Sequence, residues 1–129
     1  MWLNPYLNFG GQAREAFEFY QSIFGGKLDL VDGKAFGMPE EQHDRIMHAH
    51  LETEGGWSIM GSDGRDNTGE FAGFYLNIGG PKEDLETART YYAALAEDGL
   101  ATMPLETQQW GDTYGQVVDK YGVTWSFNF

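Results

Sequence analysis

Two short stretches determine the architecture of this chain: Tyr6-Leu7-Asn8-Phe9-Gly10-Gly11 and, 69 residues later, Tyr75-Leu76-Asn77-Ile78-Gly79-Gly80. In each copy, the alternating apolar residues predict a short strand, and the Gly-Gly pair predicts a tight turn at its end. A segment with helical periodicity follows each turn. Agreement in strand, turn, helix and position indicates two copies of one module.

Each predicted helix carries an apolar stripe and stops at or near glycine. In the first copy the stripe consists of Ala13, Ala16, Phe17, Tyr20, Ile23 and Phe24, and Gly25-Gly26 ends the helix. In the second copy Pro81 is placed for the first helical position, because its ring suits that site. The second stripe consists of Leu85, Ala88, Tyr92 and Leu95, and Gly99 is the predicted end.

Three further strands are predicted after each helix, so each copy forms a βαβββ module. They are Lys27–Val31, Asp44–Glu52 and Trp57–Ser62 in the first copy, and Leu100–Thr107, Thr113–Asp119 and Val123–Phe129 in the second. The polar stretch Ser62–Gly69 is the predicted connection, and Asp32–His43 is a predicted loop. We therefore expect an α+β fold in which residues 1–129 form a single domain of two modules, about 1–63 and 69–129. One helix covers one face of the strands and leaves the other face free for a ligand.

Composition excludes several classes of function. The 129 residues carry 8 Lys and Arg against 20 Asp and Glu, a formal charge of -12, which argues against nucleic acid and anionic membranes as partners. Cysteine is absent, so thiol chemistry and Cys-ligated metals are excluded. No long apolar run or signal pattern is present, and we expect a cytoplasmic protein.

Strand alternation predicts which side chains reach the face away from the helices. Leu7 and Phe9 should pack on the helix, which turns their neighbours to the other side. The same argument applies to the second copy and to the strand that contains His48 and His50. With Trp110, in the turn before the seventh strand, the predicted ligand-binding residues are Tyr6, Asn8, His48, Met60, Tyr75, Asn77 and Trp110. An apolar and aromatic surface with few polar groups suits a planar or cationic organic molecule.

Several motifs together resemble the vicinal-oxygen-chelate superfamily of glyoxalase and bleomycin-resistance proteins, and its PhnB-like branch in particular. They are Pro5-Tyr6-Leu7-Asn8-Phe9, Ala16-Phe17-Glu18-Phe19-Tyr20, Phe24-Gly25-Gly26, Ile46-Met47-His48-Ala49, Trp110-Gly111-Asp112 and the closing run Asp119–Ser126. The resemblance covers nearly the whole chain. It implies a cupped, mostly antiparallel eight-stranded sheet around a cavity, within a homodimer. The edges of such a sheet also favour a homodimer, because unpaired strands tend to be covered by a partner.

Metal-dependent members of this superfamily hold a divalent ion with four His or Glu side chains. The resemblance carries those positions to Asn4, Ile59 or Met60, Gly73 and Ser126, none of which is His or Glu. We therefore expect the superfamily metal site to be lost, and no cofactor. A weaker alternative is His48 and His50, with Glu52, which share one face of a strand.

Two classes of function remain. The first is a metal-free binding module that sequesters a small organic molecule. The second is an enzyme on a small metabolite, of lyase, isomerase or dioxygenase type, with His48 or Asp112 as the acid–base group and perhaps a metal at His48 and His50. A methyltransferase label is attached to PhnB-like sequences, but no glycine-rich cofactor loop follows the first strand. The sequence favours the binding module.

Overall fold

The computed structural model describes residues 1–64 and 71–129, which fall in two compact units. Most of the predicted connection Ser62–Gly69 lies outside the described residues. The first unit contains β1 (Tyr6–Asn8), α1 (Ala13–Phe24), β2 (Lys27–Asp32), β3 (Ile46–Glu52) and β4 (Ser58–Ser62). The second contains β5 (Leu76–Gly79), α2 (Leu85–Ala96), β6 (Leu100–Thr107), β7 (Thr113–Val118) and β8 (Thr124–Asn128).

The two units have the same strand topology. The first sheet has the order β1-β4-β3-β2 and the second has the order β5-β8-β7-β6. In each sheet the first strand of the unit pairs parallel to the last, and the remaining pairs are antiparallel. The predicted α+β fold of two βαβββ modules is confirmed, with its eight strands arranged as two four-stranded sheets.

Helix α1 covers its sheet through an aromatic cluster. The ring of Phe17 meets the rings of Phe9 and Tyr20 edge-on, with centroids 5.9 and 6.0 Å apart. Gly61 of β4 lies beneath this helix, where a Cβ would come within 2.8 Å of the Phe17 ring and 2.5 Å of the Leu7 carbonyl oxygen. The absence of a side chain at Gly61 therefore lets the helix approach the sheet closely.

A buried carboxylate joins the start of α1 to the sheet. Asp63, which is 2% exposed, follows β4 directly and accepts hydrogen bonds from the backbone N–H groups of Gly11, Ala13 and Ile46 at 2.8, 2.9 and 2.7 Å. An acidic group at this position satisfies donors that a helix leaves unpaired at its N-terminus. The turn after β1, the helix and the start of β3 are thereby fixed together.

The core of the second unit is built around two aromatic residues of β8. Trp125 and Phe127 of β8 are buried towards α2, and the ring of Tyr92 meets that of Phe127 edge-on at 5.6 Å. The Asp119 carboxylate accepts a hydrogen bond from the indole N–H of Trp125 at 2.9 Å. It also accepts hydrogen bonds from the backbone N–H groups of Tyr121 and Val123 at 2.9 and 3.0 Å. These bonds close the β7–β8 turn over the core.

The second helix differs from its prediction at both ends. Pro81 precedes a 3-10 turn over Lys82–Asp84, and α2 begins only at Leu85. The helix ends at Ala96 rather than at Gly99, because Glu97 is extended and Asp98 has a φ of 58°. The predicted loop between β2 and β3 also contains a 3-10 turn, Glu40–Gln42. Within the described residues, no helix is both long enough and apolar enough to span a membrane.

Candidate functional site

Each sheet has one face that its helix does not cover, which we call the helix-free face. In the first unit Tyr6, Met60 and His50 lie opposite one another on β1, β4 and β3, and their side chains belong to this face. The helix-facing neighbours Leu7, Ala49 and Ile59 are buried. The predicted alternation is thus observed, and Tyr6, Asn8, His48 and Met60 share one face; their role in ligand binding stays a prediction.

Tyr6 and His48 form the main polar contact of this face. The Tyr6 hydroxyl lies 3.2 Å from His48 Nδ1, and the two rings are 5.8 Å apart at an angle of 31°. Tyr6 is 49% exposed, so one aromatic ring remains accessible beside an imidazole that is held in place. The pair offers a flat surface together with a proton donor and acceptor.

His50 has an unusual environment on the same face. Its Nε2 atom is buried and has no hydrogen-bond partner among residues 1–64 and 71–129. Its neighbours across the sheet are Met60 on β4 and Asp29 on β2, and the Asp29 carboxylate is paired with Lys27 at 3.3 Å. A buried polar atom without a partner is destabilising by about 1–3 kcal/mol. An apolar residue at this position would not carry that cost.

The helix-free face of the second unit repeats an element of the first. The Ser126 hydroxyl donates to Asn77 Oδ1 at 2.8 Å, and the Ser62 hydroxyl donates to Asn8 Oδ1 at 3.2 Å. Asn77 is exposed on this face, as predicted. Tyr75 is exposed as well, but it precedes β5 instead of belonging to it. Because Tyr75 lies outside the strand, alternation along β5 does not determine the direction of the Tyr75 side chain.

An aromatic and acidic corner forms where β7 begins. Trp110 and Asp112 lie in the turn between β6 and β7, where the sequence places them, and Trp110 is 63% exposed. The ring of Trp110 is 6.3 Å from that of Tyr114, and Asp112 Oδ2 accepts a 3.5 Å hydrogen bond from Asn128. Sequence reasoning does not single out Asn128, although alternation along β8 predicts its face.

The family follows from this fold and from one comparison. A family model described as 3-demethylubiquinone-9 3-methyltransferase matches residues 2–127, which is nearly the whole chain. The chain belongs to this PhnB-like family. Structures of the vicinal-oxygen-chelate superfamily share its fold, among them the fosfomycin resistance protein FosX from Listeria monocytogenes, at 14% identity and a TM-score of 0.66.

Three relatives of this PhnB-like protein are similar over almost their full length. The solved structure of protein PA1353 from Pseudomonas aeruginosa is 31% identical, covers 99% of this chain and 96% of its own, and has a TM-score of 0.86. A putative 3-demethylubiquinone-9 3-methyltransferase, PhnB protein, from Bacillus cereus is 27% identical with a TM-score of 0.76, at 99% and 98% coverage. Protein YjdN of Escherichia coli is 27% identical, over 98% of this chain and 93% of its own.

The donor set at the superfamily metal positions does not fit a divalent ion in this PhnB-like chain. Ile59 is buried towards α1, so Met60 is the β4 residue of the helix-free face, and its sulfur lies 4.0 Å from Asn4 Nδ2. Gly73 lies outside β5, and Ser126 is bonded to Asn77. An amide, a thioether and a hydroxyl are poor ligands for such ions. Across residues 1–64 and 71–129, no three His, Asp or Glu side chains are grouped to hold a metal, and this includes His48, His50 and Glu52.

Proposed function

We propose that this PhnB-like protein binds a small organic molecule, planar or cationic, without a metal ion. The observation that carries the proposal is the contact of Tyr6 with His48 on the helix-free face of the first unit. An exposed tyrosine ring beside a fixed imidazole suits stacking against a planar group. Met60, opposite Tyr6 across the sheet, adds a polarisable side chain that adapts to the shape of a ligand.

Charge supports a cationic ligand. The chain has a formal charge of -12, which raises the local concentration of cations around the protein. Aromatic faces also attract cations. The residues proposed for ligand contact remain Tyr6, Asn8, His48 and Met60 in the first unit, and Tyr75, Asn77 and Trp110 in the second.

The first experiment identifies what the protein carries. Native mass spectrometry of protein purified without chelators should show bound organic molecules and no stoichiometric metal. The second experiment uses ethidium, a planar aromatic cation, with nuclease-treated protein. Ethidium anisotropy should report saturable binding, and Tyr6→Ala should weaken it about fivefold or more, as expected for the loss of an aromatic contact.

The matched control is Trp2→Ala, which removes another exposed aromatic ring of the same unit. Its ethidium affinity should stay within about twofold of the parent protein, because Trp2 precedes β1 and lies outside the strands of the sheet. Equal affinities of the parent, Tyr6→Ala and His48→Ala proteins would contradict the proposal.

The family description names a methyl transfer, but the residues here favour binding. Nucleotide-type cofactors are commonly held by a glycine-rich loop between a strand and a helix. The turn between β1 and α1 is Phe9-Gly10-Gly11-Gln12, and its Gly11 N–H is already bonded to Asp63. The turn therefore supports α1 and does not present the pattern of such a loop.

An enzyme is the second candidate function, and the same contact favours it. The Tyr6 hydroxyl and His48 Nδ1 are at proton-transfer distance, so the pair can act as an acid–base group on a bound metabolite. Asp112 is the alternative acid–base residue. If the ligand found by mass spectrometry is converted on incubation, His48→Asn should abolish conversion and retain binding, and an Asp112→Asn variant tests the alternative.

We also propose a cytoplasmic homodimer. Several large apolar side chains of the second unit are exposed, among them Phe74, Leu100 and Met103. Strand β6 lies at the edge of its sheet, and seven of its eight residues are exposed. A second copy of the chain would cover this edge, which is one of the ways in which proteins protect open strand edges.

A further inference from the structure

We propose that Trp110, Tyr114 and Asp112 form a subsite for the methylated ammonium group of an organic cation. This inference rests on the proposed function, because it names the charged group of the proposed ligand and the residues that receive it. Three observations carry it: an aromatic pair, a carboxylate bonded to the cross-strand partner of its tyrosine, and the absence of a cation paired with that carboxylate among the described residues.

The aromatic pair has one accessible ring and one fixed ring. Trp110 is exposed, and its ring is tilted by 59° from that of Tyr114 at a centroid distance of 6.3 Å. Two rings inclined in this way form a corner, not a stack, and leave ring faces for a third group. The Tyr114 hydroxyl accepts a 2.9 Å hydrogen bond from Gln116 Nε2, which holds the Tyr114 ring in place.

The carboxylate is bonded to the cross-strand partner of the fixed ring. Asn128 is the cross-strand partner of Tyr114, and its amide donates to Asp112 Oδ2 at 3.5 Å. Asp112 is half-buried, so its charge is less screened than that of an exposed side chain. No lysine or arginine in the described part of the chain forms an ion pair with Asp112. The negative charge is therefore available to a ligand.

The chemistry of the corner selects a class of cation. Aromatic faces attract weakly hydrated cations such as methylated ammonium groups, and the Asp112 carboxylate supplies the opposite charge. A divalent metal ion is disfavoured, because it needs several hard ligands, and the described residues include no group of three His, Asp or Glu side chains placed to hold one. A neutral molecule of the same shape would gain the contact area but not the attraction to Asp112 and to the rings.

Choline and its neutral isostere 3,3-dimethylbutan-1-ol distinguish these cases in the full-length protein. The indole N–H signals of the four tryptophans are followed by two-dimensional NMR, and Trp110→Leu assigns the signal of Trp110. Choline should shift that signal, and the shift should saturate with increasing choline. The affinity for choline should be about tenfold or more above that for the isostere, because a partly desolvated cation over aromatic rings is stabilised by about that factor. Asp112→Asn should weaken choline about fivefold or more and leave the isostere unchanged.

Two controls separate the corner from surface charge and from other tryptophans. Asp29→Asn removes a carboxylate of the first unit, and Trp2→Leu removes another exposed indole. Both should retain the choline affinity of the parent protein. Equal shifts by choline and the isostere, or an unchanged choline affinity in a folded Asp112→Asn protein, would overturn the proposal.

The ethidium experiment distinguishes the two proposals. If ethidium binds in a Tyr6-dependent manner and choline does not bind at Trp110, the ammonium subsite is wrong and the proposed function stands. If neither probe binds, both are wrong. Retention of the remaining indole signals shows that each variant is folded.

Discussion

Ser126 donates a 2.8 Å hydrogen bond to the side-chain oxygen of Asn77, across the parallel strands β8 and β5. The same bond, between Ser62 and Asn8, joins the parallel strands β4 and β1 of the first unit. The duplication therefore extends from topology to individual side-chain contacts. In each case a neutral hydroxyl and an amide satisfy one another on the helix-free face. Ser126, one of the superfamily metal positions, therefore carries a neutral hydroxyl where a divalent ion requires an anionic or imidazole ligand.

Metal removal should not affect this protein. The donor set at Asn4, Met60, Gly73 and Ser126 is unsuited to a divalent ion, so EDTA should leave the melting temperature and ethidium binding unchanged. Elemental analysis together with thermal unfolding measures this directly. One equivalent of zinc, nickel or iron per chain, lost together with stability, would contradict the prediction, and a His48→Ala/His50→Ala variant would then show whether that pair holds the ion.

Asp63 should be essential for the stability of the first unit. Asp63→Asn replaces one acceptor oxygen by a donor that faces backbone N–H groups, so we expect a loss of about 2–3 kcal/mol in the free energy of unfolding. Urea denaturation measures the loss. Asp44→Asn, at an exposed position before β3, is the control and should change stability by less than about 0.5 kcal/mol. Similar effects of the two substitutions would show that the three bonds to Asp63 are not important.

His50 should be replaceable by an apolar residue. Its Nε2 atom is buried and has no partner in the described part of the chain, so His50→Leu should leave the free energy of unfolding unchanged or raise it by about 1 kcal/mol. The neighbouring change His48→Leu removes the contact with Tyr6 and should lower that free energy by about 0.5–1.5 kcal/mol. A loss of more than about 1 kcal/mol in His50→Leu would indicate that water or a ligand satisfies His50.

Tyr92 should make the protein sensitive to alkali. Burial raises the pKa of Tyr92 above its usual value, and its hydroxyl donates to the Met103 and Gln116 carbonyls at 2.8 and 3.2 Å. Since the unfolded chain loses this proton first, stability is fully present below the unfolded pKa of about 10 and falls as pH rises from there towards the folded pKa.

Denaturation of Tyr92→Phe measures this effect. The variant should be less stable than the parent by about 1 kcal/mol at neutral pH, and the difference should shrink above about pH 10. Tyr75→Phe, which removes an exposed hydroxyl, is the control. A difference between Tyr92→Phe and parent that is constant with pH would refute the assignment.

Light scattering at micromolar concentration should give twice the chain mass of 14.5 kDa. Leu100→Lys places a charge on the exposed edge of the second sheet and should shift the protein towards the monomer. Phe36→Lys alters an equally exposed apolar residue in the first unit and should leave the dimer intact. A mass near 14.5 kDa for the parent protein would reject the dimer.

The sequence by itself determined the elements whose signal lies within one segment. Helix α1 has the predicted bounds Ala13–Phe24, because its apolar spacing and the following Gly25-Gly26 are local features, and Gly25 has the positive φ of 67° that such an end requires. Alternation likewise predicted the faces of Tyr6, Asn8 and His48. The start of the second helix was predicted less accurately, because Pro81 is compatible with a 3-10 turn as well as with the first turn of an α-helix.

The tertiary structure decided which distant residues meet. Nothing in the sequence pairs Tyr6 with His48, or Asp112 with Asn128, because these contacts depend on strand order and register rather than on spacing. The same applies to Asp63, whose carboxylate bonds residues as distant in sequence as Gly11 and Ile46, and to the buried nitrogen of His50. Periodicity fixes the face of a strand on which a side chain lies. Its partner is fixed only when the strands pair, since hydrogen bonds and ring contacts form over a few ångströms in space.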